Sequence, residues 1–403
     1  MTIKVLHIVG GKFTNGAVKG AKILHEALLE NNIESKFVND TPFNTKRIDK
    51  NIFFVNYTYL NILFNKICVL TEKVLKTLFL HSPRETFTLS FFGRDITKLE
   101  EYKTADIIHI HWLNQGFIKL SSISKIKKPV VWTLRDMWAF TGGSHYTMDF
   151  EKYEKSKLST IIKNFKKKSY KKSFYFIAIS DWLKNKALQS DVLREFNVDR
   201  IYNNIDLKKF NNINKKQGKD FLNINTGKKI ILYGANNPQS KRKGWDIFVE
   251  SLKELDKSKY YLLIFGNFWS HKTLDKIGFE YKSLGFIDDT KILNSVYSCA
   301  DLFVASSIQD GWPKTFAEAM YCKTPVICFS NTSIAEIVNH KINGYVVQNF
   351  DSNQLKDGIE WLSRAIDNNS LNVESVKNRI EEFGSDKIAK KYIKLYEKIL
   401  NEN

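Results

Sequence analysis

Two carboxylates head the residues of this chain that could do chemistry. Asp310 and Glu318 stand eight positions apart in the run Ser306-Ser307-Ile308-Gln309-Asp310-Gly311-Trp312-Pro313-Lys314-Thr315-Phe316-Ala317-Glu318-Ala319-Met320. Asp310 lies in a Gly/Pro-containing loop after an apolar strand, and Glu318 falls inside the helix that the loop opens. A strand, a turn and a helix N-terminus leave several backbone N–H groups unpaired and aimed outward, which suits an anion. Carboxylates beside such a site cannot hold the anion, but they can accept hydrogen bonds from hydroxyls attached to it. A phosphate-linked polyol fits that arrangement, and a nucleotide sugar is the candidate.

Three further groups have the right chemistry. Lys241-Arg242-Lys243-Gly244 is a basic run at the start of a helix. It can meet a phosphate or simply face water. His109 and His111 share one face of a strand by alternation. A His-x-His pair can bind metal, but no third ligand is evident beside it, so no metal is expected. Instead His109 is expected to pack, with His111 at the strand end near substrate. The loop Gly10-Gly11-Lys12-Phe13-Thr14-Asn15-Gly16-Ala17 follows the first strand and opens a helix. Its glycines allow close backbone approach to a ligand. As a dinucleotide fingerprint it fails, because the glycine spacing differs and no fitting acid is placed after strand two.

These residues need a scaffold, and the periodicity supplies one. Apolar runs of strand length at 5–9, 106–111, 130–134 and 174–179 alternate with helix-period segments such as 16–31. That alternation implies a parallel sheet covered on both faces. The pattern breaks after Asn203-Asn204-Ile205-Asp206. Residues 207–227 are polar and Lys/Asn-rich, which reads as a linker. A second series begins at 229–234 and continues through 261–265, 282–286, 301–305, 325–329 and 345–347. Helices fit between, at 246–255, 289–298 and 313–321. Residues 385–400 form an amphipathic helix with Tyr392, Leu395, Tyr396 and Ile399 on one stripe. The expected fold class is α/β, with two facing Rossmann-like domains and an interdomain cleft. The boundaries are 1–206, a linker at 207–227, 228–384, and a C-terminal crossover helix at 385–403. Doubly wound sheets take ligands at the carboxyl ends of their strands.

At 403 residues the chain is too long for one ordinary core, and 43% hydrophobic content fills two. Cys68, Cys299, Cys322 and Cys328 form no C-x-x-C pair and no zinc pattern, which fits buried, reduced thiols in a cytoplasmic protein. The apolar start, followed at once by Gly10-Gly11, reads as a strand and not as a signal peptide. No run has the apolar length of a membrane span. The net charge of +19 fits nucleic acid, an anionic membrane or an anionic substrate. Nucleic-acid module signatures are absent, so no nucleic-acid partner is expected. Lys163, Lys166, Lys167, Lys168, Lys171 and Lys172 crowd one helix end, with Ile161, Ile162 and Phe165 interleaved. Residues 52–80 are rich in Phe, Tyr, Leu and Ile. Together they suit peripheral association with the inner face of a cytoplasmic membrane, although a soluble lysine-rich helix is the plainer reading of the basic run.

With these residues in hand, the chain resembles the retaining glycosyltransferases of family 4, which have the GT-B fold. The resemblance runs in order through nearly the whole chain. It takes in the glycine loop, His109-Ile110-His111-Trp112, Trp132-Thr133-Leu134-Arg135-Asp136-Met137-Trp138-Ala139-Phe140-Thr141-Gly142-Gly143, Ala178-Ile179-Ser180-Asp181-Trp182-Leu183 and Asn204-Ile205-Asp206. Lys243-Gly244, the Asp310 to Glu318 segment, Ala319-Met320 and Lys323-Thr324-Pro325-Val326 complete it. The block around Trp132 looks most like the branch that builds bacterial exopolysaccharide, capsule and O-antigen chains.

The resemblance implies a metal-independent transferase that needs no cofactor. It would move a hexose-type sugar, with retention, from a nucleotide sugar to a glycan or a polyprenyl-diphosphate-linked oligosaccharide. It implies that Glu318 accepts hydrogen bonds from the donor ribose and that Asp310, where the family has Glu, reads hydroxyls of the sugar. Gly311, Trp312 and the helix they open would offer backbone N–H groups to the diphosphate, Lys243 would contact the phosphates, and Gly11 and Gly16 would border donor or acceptor. His111, Arg135 and Asp136 would lie at the reacting centre. Arg135 departs from the expected His. Arginine stays protonated and cannot serve as a base, but it can clamp a phosphate. His145 stands nearby as another candidate. Two other functions remain open: a catalytically impaired nucleotide-sugar or glycan-binding protein, and a GT-B sugar-nucleotide epimerase.

Overall fold

The computed structural model describes residues 2–43, 45–56, 58–79, 86–113, 116–211 and 213–402. The chain divides into two compact units, Met1–Asn204 with Ser385–Asn403, and Ile205–Gly384.

The first unit is built on seven parallel strands: β1 (Lys4–Val9), β2 (Glu34–Asn39), β3 (Ile52–Phe54), β4 (Ile107–Ile110), β5 (Val130–Leu134), β6 (Phe174–Ala178) and β7 (Val198–Arg200). Their order is β3-β2-β1-β4-β5-β6-β7. All five residues of β5 are buried, as expected of a strand covered on both faces. Helix α1 (Gly16–Glu30) follows the glycine loop and helix α2 (Tyr59–Phe79) follows β3. Register sets His7 of β1 beside His109 of β4.

The second unit has six parallel strands: β8 (Lys229–Gly234), β9 (Tyr260–Phe265), β10 (Tyr281–Ser283), β11 (Leu302–Ala305), β12 (Val326–Phe329) and β13 (Gly344–Val347), in the order β10-β9-β8-β11-β12-β13. Its core gathers Phe248, Leu252, Leu262, Ile264, Val304 and Phe329, among others. Residues 207–227 are more than a linker. They carry a helix, Lys215–Phe221, whose Gly218 lies so close to the Thr290–Cys299 helix that a Cβ would meet the Ser295 carbonyl oxygen at 2.9 Å.

In each sheet the strand order reverses once, between β1 and β4 and between β8 and β11. Crevices form at such switch points, beyond the carboxyl ends of the strands. Gly11, His111 and Arg135 lie just past β1, β4 and β5. Lys243 and Asp310 lie past β8 and β11.

Candidate functional site

In the second unit, two loops are fastened together. Ile308 N–H donates to the Arg242 carbonyl at 2.8 Å, and Ser306 Oγ donates to the Lys243 carbonyl at 2.9 Å. Gly244 adopts φ +67°, and a Cβ there would sit 2.0 Å from the Ser306 carbonyl oxygen. Only glycine permits that approach. The fastening sets Lys243 Nζ against Asp310 Oδ2, with Arg242 Nη1 3.4 Å from the same oxygen. Burial alone would raise the Asp310 pKa. The Lys243 and Arg242 charges, the Lys243 hydrogen bond and the Trp312 N–H outweigh it and hold the carboxyl below its ordinary value. Asp310 is therefore ionised at neutral pH and shared by two cations.

The helix Lys314–Tyr321 begins after Pro313, which gives it no side-chain cap. Glu318 sits half-buried in its second turn and accepts from the hydroxyl of the fully buried Tyr297 at 2.9 Å. Trp312 is buried, and its ring packs on Phe316 and Phe383 at 5.0 and 5.4 Å. Its backbone N–H donates to Asp310 Oδ1 at 3.2 Å.

In the first unit, Arg135 is buried without a carboxylate partner among the described residues. Its Nη1 donates to Asn203 Oδ1 at 2.7 Å and its Nη2 lies 3.3 Å from His111 Nδ1, while Nε has no partner. Burial lowers its pKa to about 10, so it remains charged at neutral pH. Because Arg135 can only donate, His111 Nδ1 must accept, and its proton sits on Nε2. That proton faces His7 Nδ1 at 2.8 Å, which leaves the His7 proton on Nε2, a buried atom with no acceptor. His109 bridges the Tyr396 hydroxyl (2.6 Å) and Thr133 Oγ1 (2.7 Å). Burial is the first cause that drives all three histidine pKa values well below normal; Arg135 adds to it at each ring, and neighbouring histidines add to it at His7 and His111, so the rings are neutral.

A third histidine thus exists where the sequence showed only two. His7, His109 and His111 each bring a ring nitrogen within 4.8 Å of the others. The β1–β4 neighbour relation was the signal that could have found it.

Asp136 accepts three hydrogen bonds. Oδ2 accepts from Trp112 Nε1 at 2.7 Å and His145 Nδ1 at 2.6 Å, and Oδ1 from Trp138 N–H at 2.9 Å. His145 is itself buried, with Nε2 on the Thr88 hydroxyl at 3.0 Å. Gly11 takes φ +95° against the Trp112 ring. Its N–H donates to Asp40 Oδ1 at 2.6 Å, so an acid does follow strand two, turned onto this loop. Gly16 has open space around it and no steric need to be glycine.

Most lysines at the end of the helix Lys157–Ser169 and in the turn after it are engaged, while Lys168 is exposed. Lys166 is fully buried. It donates to the Trp138 and Thr141 carbonyls and lies 3.7 Å over the Trp138 ring. Lys163 pairs with Glu154 at 2.9 Å, and Lys167 and Lys172 pair with Glu195 at 2.7 and 3.6 Å. Lys171 donates to the Ile126 carbonyl. All four cysteines are free and buried.

Two family models match the chain. Residues 14–209 match Glycosyltransferase Family 4, and residues 227–365 match Glycosyl transferases group 1. An uncharacterized glycosyltransferase of Methanocaldococcus jannaschii is 27% identical over 61% of this chain and 64% of its own length. An uncharacterized 41.2 kDa protein from the cps region of Klebsiella pneumoniae is 23% identical over 80% of this chain and 87% of its own length. Sucrose-phosphate synthase from Thermosynechococcus elongatus has the same fold, with a TM-score of 0.73 at 17% identity and full coverage of both chains. Anabaena HepE, solved with UDP-glucose, gives 0.65 at 15% identity, covering 98% of this chain and all of that one. The two family regions, lying in order on two doubly wound units, together indicate a glycosyltransferase with the GT-B fold.

Proposed function

We propose that the protein transfers a hexose-type sugar, with retention and without a metal or cofactor, from a nucleotide sugar to a glycan or a polyprenyl-diphosphate-linked oligosaccharide. The observation that carries this reading is the convergence of Lys243 and Arg242 on Asp310 at the β8/β11 switch point, beside a helix start that lacks a side-chain cap. Two cations on one carboxylate favour an incoming diphosphate, and they stabilise the charge that grows on it as the sugar leaves. Ionised Asp310 accepts from sugar hydroxyls, and Glu318 from the ribose.

In the first unit, Arg135 supplies a fixed positive charge and His111 a neutral ring beside the reacting centre. Retention needs no protein nucleophile if the leaving phosphate oxygen takes the acceptor proton on the face the sugar departs from. Arginine in place of histidine is compatible with that route. The histidine trio serves as a hydrogen-bonded support and not as a metal site, because the Arg135 charge repels a cation there. The UDP-glucose complex of HepE favours a uridine donor, and the Klebsiella relative favours capsule-type polysaccharide. The work takes place on the cytoplasmic face of a membrane, with no nucleic acid involved.

A thermal-shift panel of UDP, GDP, ADP and their sugars tests the donor assignment. A true ligand at about 100 times its Kd adds roughly 2.7 kcal/mol. Glu318→Ala should abolish that shift, and an unchanged shift with unchanged transfer ends the proposal. Sugar released or epimerised at full rate without an acceptor would instead favour the epimerase reading.

A further inference from the structure

Helix α2 is anchored on one side only. Cys68 and Glu72 are buried. Glu72 accepts the backbone N–H groups of Leu89 at 2.7 Å and Phe91 at 3.3 Å, and Gly116 lies so close that a Cβ would meet Cys68 Cβ at 2.8 Å. The opposite side carries Tyr59, Leu60, Leu63, Phe64, Ile67, Leu70 and Val74, all between 41% and 78% exposed. At 100° per residue these side chains span an arc of about 140°. An arc of that width normally faces a core.

The charges around this arc have one sign. Lys66 and Lys73 flank one edge, and both are exposed. Arg94 lies 5.4 Å over the Phe64 ring at the other edge. The helix has a single acid, Glu72, and that one is turned inward. Phe91 and Phe92, in the segment that Glu72 binds, are 42% and 45% exposed. Among the described residues no helix is long and apolar enough to cross a membrane.

We infer that α2 lies in the plane of an anionic bilayer, with its apolar arc sunk to the level of the headgroup and acyl boundary and its cations on the lipid phosphates. The charge pattern selects this occupant. A second copy of the chain would bring lysine against lysine in a molecule of net charge +19, whereas anionic lipid complements both the cations and the arc. The inference rests on the proposed membrane-side acceptor for its biological sense, but its test does not involve the acceptor.

The test is flotation of the full chain with vesicles of phosphatidylcholine alone or mixed with phosphatidylglycerol, at low and high salt. The wild type should float with the anionic vesicles. Ile67→Asp combined with Leu70→Asp should cut the bound fraction by about tenfold or more, since both apolar contacts are lost and lipid repels the new charges. Both positions are more than half exposed, so the fold should survive, which an unchanged UDP-type thermal shift confirms. In a Leu63→Trp variant, emission should move to shorter wavelength on anionic vesicles only. Equal flotation of the double variant would overturn the assignment. So would a wild type that stays off anionic vesicles, or one that forms a dimer abolished by the two aspartates. Loss of nucleotide binding with flotation intact would strike only the donor reading.

Discussion

The Tyr396 hydroxyl lies 2.6 Å from His109 Nδ1, across 287 positions of sequence. The C-terminal helix Ser385–Glu402 therefore belongs to the polar core of the first unit. Tyr392 makes the companion bond, to Thr133 Oγ1 at 2.7 Å. Tyr396→Phe leaves His109 with one partner fewer in a buried place, and should cost about 1–3 kcal/mol. Urea unfolding followed by tryptophan fluorescence measures it. A variant as stable as wild type would mean that the bond adds nothing.

Asp310→Asn should separate charge from shape in the donor site. The folded-state pKa of Asp310 is depressed, so its ionised form adds stability above the unfolded carboxyl pKa near 4. That stability fades as pH falls through the folded value. The melting temperature of Asp310→Asn should therefore sit below wild type by a constant margin from about pH 7 to 5, and that margin should begin to shrink below about pH 4. A margin that does not shrink at all between about pH 5 and 3 would point to packing instead of charge.

Arg135 should matter for turnover more than for donor binding. Arg135→Met is expected to lower kcat by about 100-fold or more while the nucleotide Kd stays within error, because the donor groups Lys243, Asp310 and Glu318 lie in the second unit. Arg135→Lys keeps the charge without the planar fork and should recover only part of the loss. Initial-rate kinetics beside nucleotide titration by calorimetry distinguish the cases. Full activity in Arg135→Met would remove the residue from the reacting centre.

Lys166 gives stability an unusual pH dependence. Burial pulls its pKa down to about 7, although Glu154 and Asp136 raise it. Between that value and the unfolded lysine pKa near 10.4 the unfolded chain binds more protons, so stability gains from this group as pH rises. The slope is at most about 1.4 kcal/mol per pH unit. In Lys166→Met that contribution should vanish from denaturant midpoints taken between pH 7 and 9. An unchanged slope would show that another group titrates.

Much of the scaffold could be read directly. The β5 and β8 ranges coincide with apolar runs at 130–134 and 229–234, because fully buried parallel strands leave an uninterrupted apolar signature. What stayed hidden was pairing at a distance. Lys166 sits among lysines that look solvated, and nothing local shows that its turn faces Trp138. Asp310 and Lys243 are 67 positions apart, so their ion pair had to wait for the two loops to be fastened together. His7 looked like one more residue of an apolar strand until β1 was found beside β4. The exposed arc of α2 was legible only as an apolar stretch at 52–80, of which residues 57 and 80 lie outside the described residues. Composition cannot say which side of a helix faces out.

Position 20 has a bearing on any attempt to restore the histidine expected at 135. A methyl group on Gly20 would come within 2.3 Å of Arg135 Nη1. The guanidinium is buried and bonded to Asn203, so moving aside would cost it that hydrogen bond. The two sites therefore constrain each other: α1 stays bare at that turn so that the long side chain can fit beneath it. A shorter imidazole would vacate the space, and alanine at 20 should then be tolerated or welcome. Engineers and natural lineages alike should find these two positions easier to change together than singly.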